Sequence, residues 1–215
     1  HGLAHTTQRD FAPLDDFCTR WVTATLASTP SPCGTMAHPY IDCAKKLAAR
    51  GIKPGDVKEM ICEVGEGTVH RLWEPLADKQ RPRNGYAAKF ATPFILATGF
   101  VKGGVGLGDF TDEAVRDPDV LALAAKTRYV IDPNNPYPNA FTGHIRCVLN
   151  DGSVVEERQP HFRGGAHEPL SRADIEEKFM LNARHGGWDA KRSGAALKLL
   201  SKLYGGKIDL APLRG

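Results

Sequence analysis

Apolar residues recur at helical spacing in several segments of the chain. Between residues 39 and 50 an apolar face begins at Ile41, Pro39 suits the first helical turn, and Gly51 ends the pattern. The same spacing predicts further helices over residues 14–27, 93–102, 172–185 and 194–206, with shorter ones between 111 and 126 divided at Asp117-Pro118. The chain is therefore rich in predicted helices at both ends.

Two of these helices carry recognisable start signals. Thr92 followed by Pro93 predicts an N-cap and a first helical residue. Ser171 with Asp174 three residues later has the spacing of a capping box. We therefore expect one helix to begin at Pro93 and another directly after Ser171.

Strand patterns occupy the middle of the chain. Residues 56–65 and 128–133 are predicted as strands, and the polar stretch 66–86 between them as an exposed loop beside a site. The order of elements predicts an α+β fold with an antiparallel sheet in the middle.

A hairpin is the clearest local prediction. Asp151-Gly152 separates two runs rich in β-branched residues, which favours a two-residue turn. That turn would place Leu149 opposite Val154 and Arg146 opposite Glu157.

Composition narrows the class of protein. The chain has 215 residues, 41% hydrophobic and 25% charged, with a formal net charge of +3. We expect neither a nucleic-acid partner nor a membrane span, because the basic residues are scattered and no apolar run approaches ~20 residues. Five cysteines without a C-x-x-C pair disfavour a zinc site and a disulfide framework, so a reducing cytoplasm is expected. The chain opens with His and no signal-peptide pattern, and we expect it to be part of something longer.

The stretch TPSPCGTMAHPY suggests the first candidate site. Cys33 and Gly34 form a turn into a helix that starts near His38, where free backbone N–H groups favour a carboxylate or phosphate. The same field disfavours a protonated imidazole, so His38 is a candidate acid or base. The alternative is that Cys33 packs in the interior and His38 only caps the helix.

Basic residues supply the second candidate site. Lys89 lies just before the helix at Pro93 and could hold an anionic group together with its N-terminus. Arg83 could clamp a carboxylate, and Arg81 could assist it. Otherwise these are solvated surface side chains. His161 and His167 do not have the spacing of a metal site, and the glycines of VKGGVGLGDF follow a helix, so we predict neither a metal nor a dinucleotide.

Three blocks of this sequence, in order, resemble the C-terminal half of the MmgE/PrpD family. They are PCGTMAHPYIDCA, GYAAKFATPFILATGFVKGGVGLGDFTDEAVRDPDV and VVEERQPHFRGGAHEPLSRADIEEKF. The family includes 2-methylcitrate dehydratase, cis-aconitate decarboxylase and iminodisuccinate epimerase. The resemblance implies an all-helical domain and a smaller α+β lid, with the active site between them. Residues 1–28 would end the helical domain, 29–168 would form the lid, and 169–215 would be the returning helices.

The resemblance also implies a function. Members of the MmgE/PrpD family are cofactor-independent enzymes that act on small polycarboxylates, commonly as homodimers. We therefore expect a lyase or isomerase similar to 2-methylcitrate dehydratase. His38 would be the acid or base, and Lys89, Arg83, Cys33 and Gly34 would bind substrate.

Departures from the family pattern weaken the expectation of activity. Thr29, Gly34 and Phe94 stand where members often carry Lys, His and Tyr. We expect this chain alone to be inactive, because its pocket would lack one wall and its acid and base partners. Without the helical domain the two closing helices would expose apolar faces, so we expect a second copy or a helical partner chain to cover them. The alternative is a non-catalytic lid-like module that binds an acidic ligand or a helical subunit.

Overall fold

The computed structural model describes Thr19 and residues 26–213, in which eight α-helices accompany four strands. The helices are α1 (His38–Ala49), α2 (Glu66–Leu72), α3 (Leu76–Gln80), α4 (Gly85–Ala88), α5 (Thr92–Lys102), α6 (Pro118–Ala124), α7 (Arg172–His185) and α8 (Ala190–Leu200). The strands are β1 (Val57–Val64), β2 (Thr127–Ile131), β3 (Gly143–Leu149) and β4 (Val154–Gln159). The predicted α+β class is confirmed. The helix predicted over 14–27 and the domain assignment of 1–28 lie almost entirely outside the described residues.

The sheet is mixed, in the strand order β2-β1-β3-β4. β3 runs antiparallel to both β1 and β4, but β2 is parallel to β1, with Met60 opposite Thr127. The prediction of a wholly antiparallel sheet was therefore wrong for one edge. Parallel neighbours need a long crossover connection, and the segment carrying α2 to α6 provides it.

The β3–β4 hairpin differs from the prediction by one residue in register. Leu149 N–H donates to the carbonyl of Ser153 at 2.8 Å, and Gly152 has φ +87°. The loop thus has three residues, with glycine in the left-handed position, and Arg146 lies opposite Glu156. A one-residue shift turns every side chain of β4 to the other face. Glu157 accordingly forms an ion pair with Arg50 at the end of α1.

Residues 66–86 were predicted as a loop but form α2, α3 and the start of α4. Leu72 and Trp73 at the end of α2 are buried, 1% and 0% exposed. Burial of these two large side chains fixes short helices that polar composition alone does not indicate. Arg71 and Leu72 of this segment lie beside the Cys33-Gly34 turn.

Helices α1 and α5 pack together, and α1 also lies against β3 and β4. Their contact is close, since a Cβ on Gly99 would lie 3.0 Å from Ile41 Cγ2. The cap of α5 is Ala91 and not Thr92, which is the first helical residue and has an unpaired hydroxyl. Gly103, at φ +72°, ends α5 as predicted.

The predicted closing helices are present as α7 and α8, but α8 (Ala190–Leu200) begins and ends earlier than the predicted 194–206. Ser171 and Asp174 form the predicted capping box, and α7 ends at Gly186. No residue of α7, which lies wholly in the described part, is fully buried. Arg163 links α7 to α1 by two ion pairs: its Nε lies 3.3 Å from Asp42 Oδ1 on α1, and its Nη1 lies 3.2 Å from Asp174 Oδ1 on α7. That 169–215 belong to a helical domain stays a prediction.

Candidate functional site

The Cys33-Gly34 turn is fixed against the segment that carries Lys89. Gly34 N–H donates to the Lys89 carbonyl at 2.8 Å. A Cβ on Gly34 would lie 3.2 Å from Leu72 Cδ2 and 3.5 Å from the Lys89 carbonyl oxygen. Because φ at Gly34 is −54°, glycine serves close approach here, not an unusual backbone conformation.

These elements enclose a pocket of about 460 Å³. Residues 32–36 form one wall, Arg71, Leu72 and Lys89 another, and Phe141 a third. Arg71 and Lys89 bring two positive charges to a lining that is otherwise mostly carbon. Within the described part of the chain, no carboxylate and no imidazole lines this pocket. The pocket is therefore suited to bind an anion.

Three of the residues predicted from the sequence meet in this pocket, namely Cys33, Gly34 and Lys89. Burial raises the pKa of the Cys33 thiol to about 12, against an opposing effect of the Lys89 charge. Cys33 is thus a neutral thiol at physiological pH. The Lys89 ammonium also lies 5.9 Å from the centre of the Phe110 ring.

His38 lies behind the turn and does not line the pocket. Its side chain is buried, with Nε2 3.3 Å from the Cys33 carbonyl oxygen and the ring stacked on Phe162. Burial lowers its pKa to about 4, so the imidazole is neutral and Nε2 can donate its proton to that carbonyl. This geometry holds the Cys33-Gly34 turn in place.

Arg83 is exposed in the connection between α3 and α4, outside the lining of this pocket. Arg71, which does line it, was missed because its segment was read as a loop. The sequence signal for this helix was the apolar pair Leu72-Trp73. Burial of both side chains anchors the end of α2 and so places the backbone of Arg71 beside the pocket. Phe94 is 1% exposed and belongs to the hydrophobic core.

Two further properties bear on the kind of site. Among the described residues, no three His, Cys, Asp or Glu side chains are grouped so that they could hold a metal ion. None of the described helices has the length and apolar character needed to span a membrane.

A model of the MmgE/PrpD C-terminal domain matches residues 31–201, which include the turn, the pocket and both closing helices. The chain belongs to the MmgE/PrpD family. Within this family it is similar to cis-aconitate decarboxylase of Homo sapiens, with 29% identity over 114 residues, 52% of this chain and 24% of the human enzyme. The Mus musculus cis-aconitate decarboxylase is 29% identical over 104 residues, 47% of this chain and 21% of the mouse enzyme.

The matched segments thus span only about a quarter of these relatives' lengths. The MmgE/PrpD match covers both the cationic pocket and the elements that position it, from the start of the turn through α8. Family membership therefore applies to the part of the chain that carries the site.

Proposed function

We propose that this chain supplies the carboxylate-binding lid of a cofactor-independent MmgE/PrpD lyase or isomerase. Its substrate is a small polycarboxylate, as in 2-methylcitrate dehydratase. The observation that carries the proposal is the placement of Arg71 and Lys89 in one pocket beside the Cys33-Gly34 turn. Membership of the family and similarity to enzymes named for cis-aconitate support it.

The two cations have complementary properties. The Arg71 guanidinium can hold a carboxylate through two parallel N–H donors, and the Lys89 ammonium is a compact charge for a second carboxylate. When a proton is removed beside a carboxylate, negative charge develops on its oxygens, and fixed cations stabilise that charge. Arg71 and Lys89 would therefore bind the substrate and lower the barrier to proton removal.

Proton transfer needs groups beyond this pocket. Cys33 is a neutral thiol, and the neutral imidazole of His38 is enclosed behind the turn. We propose that His38 positions the turn, and that the acid and base come from a helical segment or partner chain facing the pocket. The chain alone would then bind polycarboxylates without turning them over.

A non-catalytic binding module is the second candidate. The absence of a carboxylate and of an imidazole among the described lining residues favours it. The two candidates differ in one respect: only the enzyme gains turnover of 2-methylcitrate or cis-aconitate when the helical part of the family is supplied.

Calorimetric titration of this chain with cis-aconitate tests the proposed binding. We expect Arg71→Met and Lys89→Met each to weaken binding about tenfold or more, because each removes a charge-assisted hydrogen bond. Arg83→Met removes an equal charge outside the pocket and is the matched control. Equal affinity of all four proteins would refute the assignment of the pocket.

A further inference from the structure

A second pocket lies directly beside the cationic one. It has a volume of about 280 Å³ and shares Thr35 and Phe141 with the cationic pocket. Its other walls come from the segment before β3, residues 138–141, and from the segment after β4, residues 160–167. The two pockets therefore adjoin at Thr35 and Phe141.

The second pocket is rich in rings and differs from the first in its charged residues. None of its described lining residues is Lys, Arg, Asp or Glu, whereas the first pocket has Arg71 and Lys89. His161 and His167 are stacked with their centres 5.0 Å apart and their planes at 30°. Phe141 and Phe162 meet edge to face at 6.4 Å. Prolines, alanines, Asn139 and Gly165 complete the lining.

A lining of this kind is suited to a flat or apolar group. A second carboxylate would find neither Lys nor Arg there to balance its charge. An aromatic ring would replace water against carbon and against the stacked imidazoles. A small tricarboxylate held on Arg71 and Lys89 would leave this space unfilled.

We propose that the two pockets form one bipartite site for a polycarboxylate that carries an apolar or aromatic substituent. The carboxylates lie on Arg71 and Lys89, and the substituent passes Thr35 and Phe141 to contact His161 and His167. This inference rests on the proposed function of the cationic pocket and extends it to a class of larger substrates.

Succinate and benzylsuccinate are a matched pair of probes, since they differ only by the aromatic substituent. We expect calorimetry to give benzylsuccinate about tenfold or more tighter binding than succinate, as burial of a phenyl ring predicts. Ala166→Trp fills the second pocket from an exposed position and should reduce benzylsuccinate binding to the level of succinate. Ala77→Trp, at an exposed position on α3, is the control and should keep the tenfold preference.

Each outcome has a distinct meaning. Equal binding of the two probes, with both weakened by Lys89→Met, overturns the bipartite site but leaves the carboxylate pocket standing. A preference that survives Ala166→Trp places the ring elsewhere and also overturns it. Failure of both probes to bind overturns the proposed function together with this inference. NMR of the wild-type chain is an independent check, since benzylsuccinate but not succinate should shift the ring signals of His161 and His167.

Discussion

The buried imidazole of His38 should make the stability of this chain depend on pH. The folded chain holds this side chain neutral, since burial lowers its pKa to about 4, whereas an exposed histidine in the unfolded chain has an ordinary value of about 6.5. Between these two values the unfolded state binds more protons. Stability from this group is therefore fully present above about pH 6.5 and is lost as the pH falls towards 4.

The size of the effect follows from the two pKa values. Between about pH 7 and about pH 4.5, linkage predicts that His38 removes about 2 kcal/mol from the free energy of unfolding. Replacement by phenylalanine keeps a ring to stack on Phe162 but removes the titrating group. It also removes the bond to the Cys33 carbonyl, which costs about 1 kcal/mol at every pH.

Urea unfolding of wild type and His38→Phe at both pH values measures the effect. Carboxylates titrate in the same range, but they do so in both proteins and cancel in the comparison. We expect the wild type to lose about 2 kcal/mol more than the variant between about pH 7 and about pH 4.5. An equal loss in both proteins would mean that His38 has the same pKa in the folded chain as in the unfolded chain. The argument from burial would then be wrong.

Two further substitutions test the packing around the site. Gly85→Ala should destabilise the chain by about 1–3 kcal/mol in urea unfolding, because the new Cβ would lie 1.9 Å from the backbone carbonyl oxygen of Phe110. Gly108→Ala is the control and should cost far less, because Gly108 has open space around it. Equal losses of stability in the two variants would contradict the predicted clash. Arg163→Met leaves the buried Asp42 carboxylate without its ion-pair partner and releases α7. The amide protons of α7 should then exchange faster, while those of β3 stay protected. Unchanged exchange in α7 would show that other contacts hold it.

Local signals in the sequence predicted local structure well. The capping box of Ser171 and Asp174 uses groups only three residues apart, so sequence alone identifies it. The turn at Asp151-Gly152 was also found, but its register was not. Asn150 joins the loop and Gly152 takes the left-handed position, which makes a three-residue loop. A glycine at this position is compatible with both a two-residue and a three-residue loop, so the sequence does not decide the register.

Long-range features were harder to predict. The parallel pairing of β1 with β2 depends on where a long crossover returns, which no short pattern records. Lys89 was found because it stands beside a helix start, whereas Arg71 was missed because only the burial of Leu72 and Trp73 makes its segment helical. The burial of His38 likewise depends on Phe162, which is distant in sequence.

The central position of β1 has a consequence for synthesis of the chain. β1 leaves the ribosome before either of the strands that flank it, and its first partner ends the long crossover at residues 127–131. At ordinary translation rates the intervening segment takes roughly 3 to 13 seconds to make. During that time an apolar strand has both hydrogen-bonding edges open, which is the condition under which strands join those of other molecules. The same crossover that carries Arg71 and Lys89 thus leaves β1 unpaired during synthesis, when aggregation competes with folding.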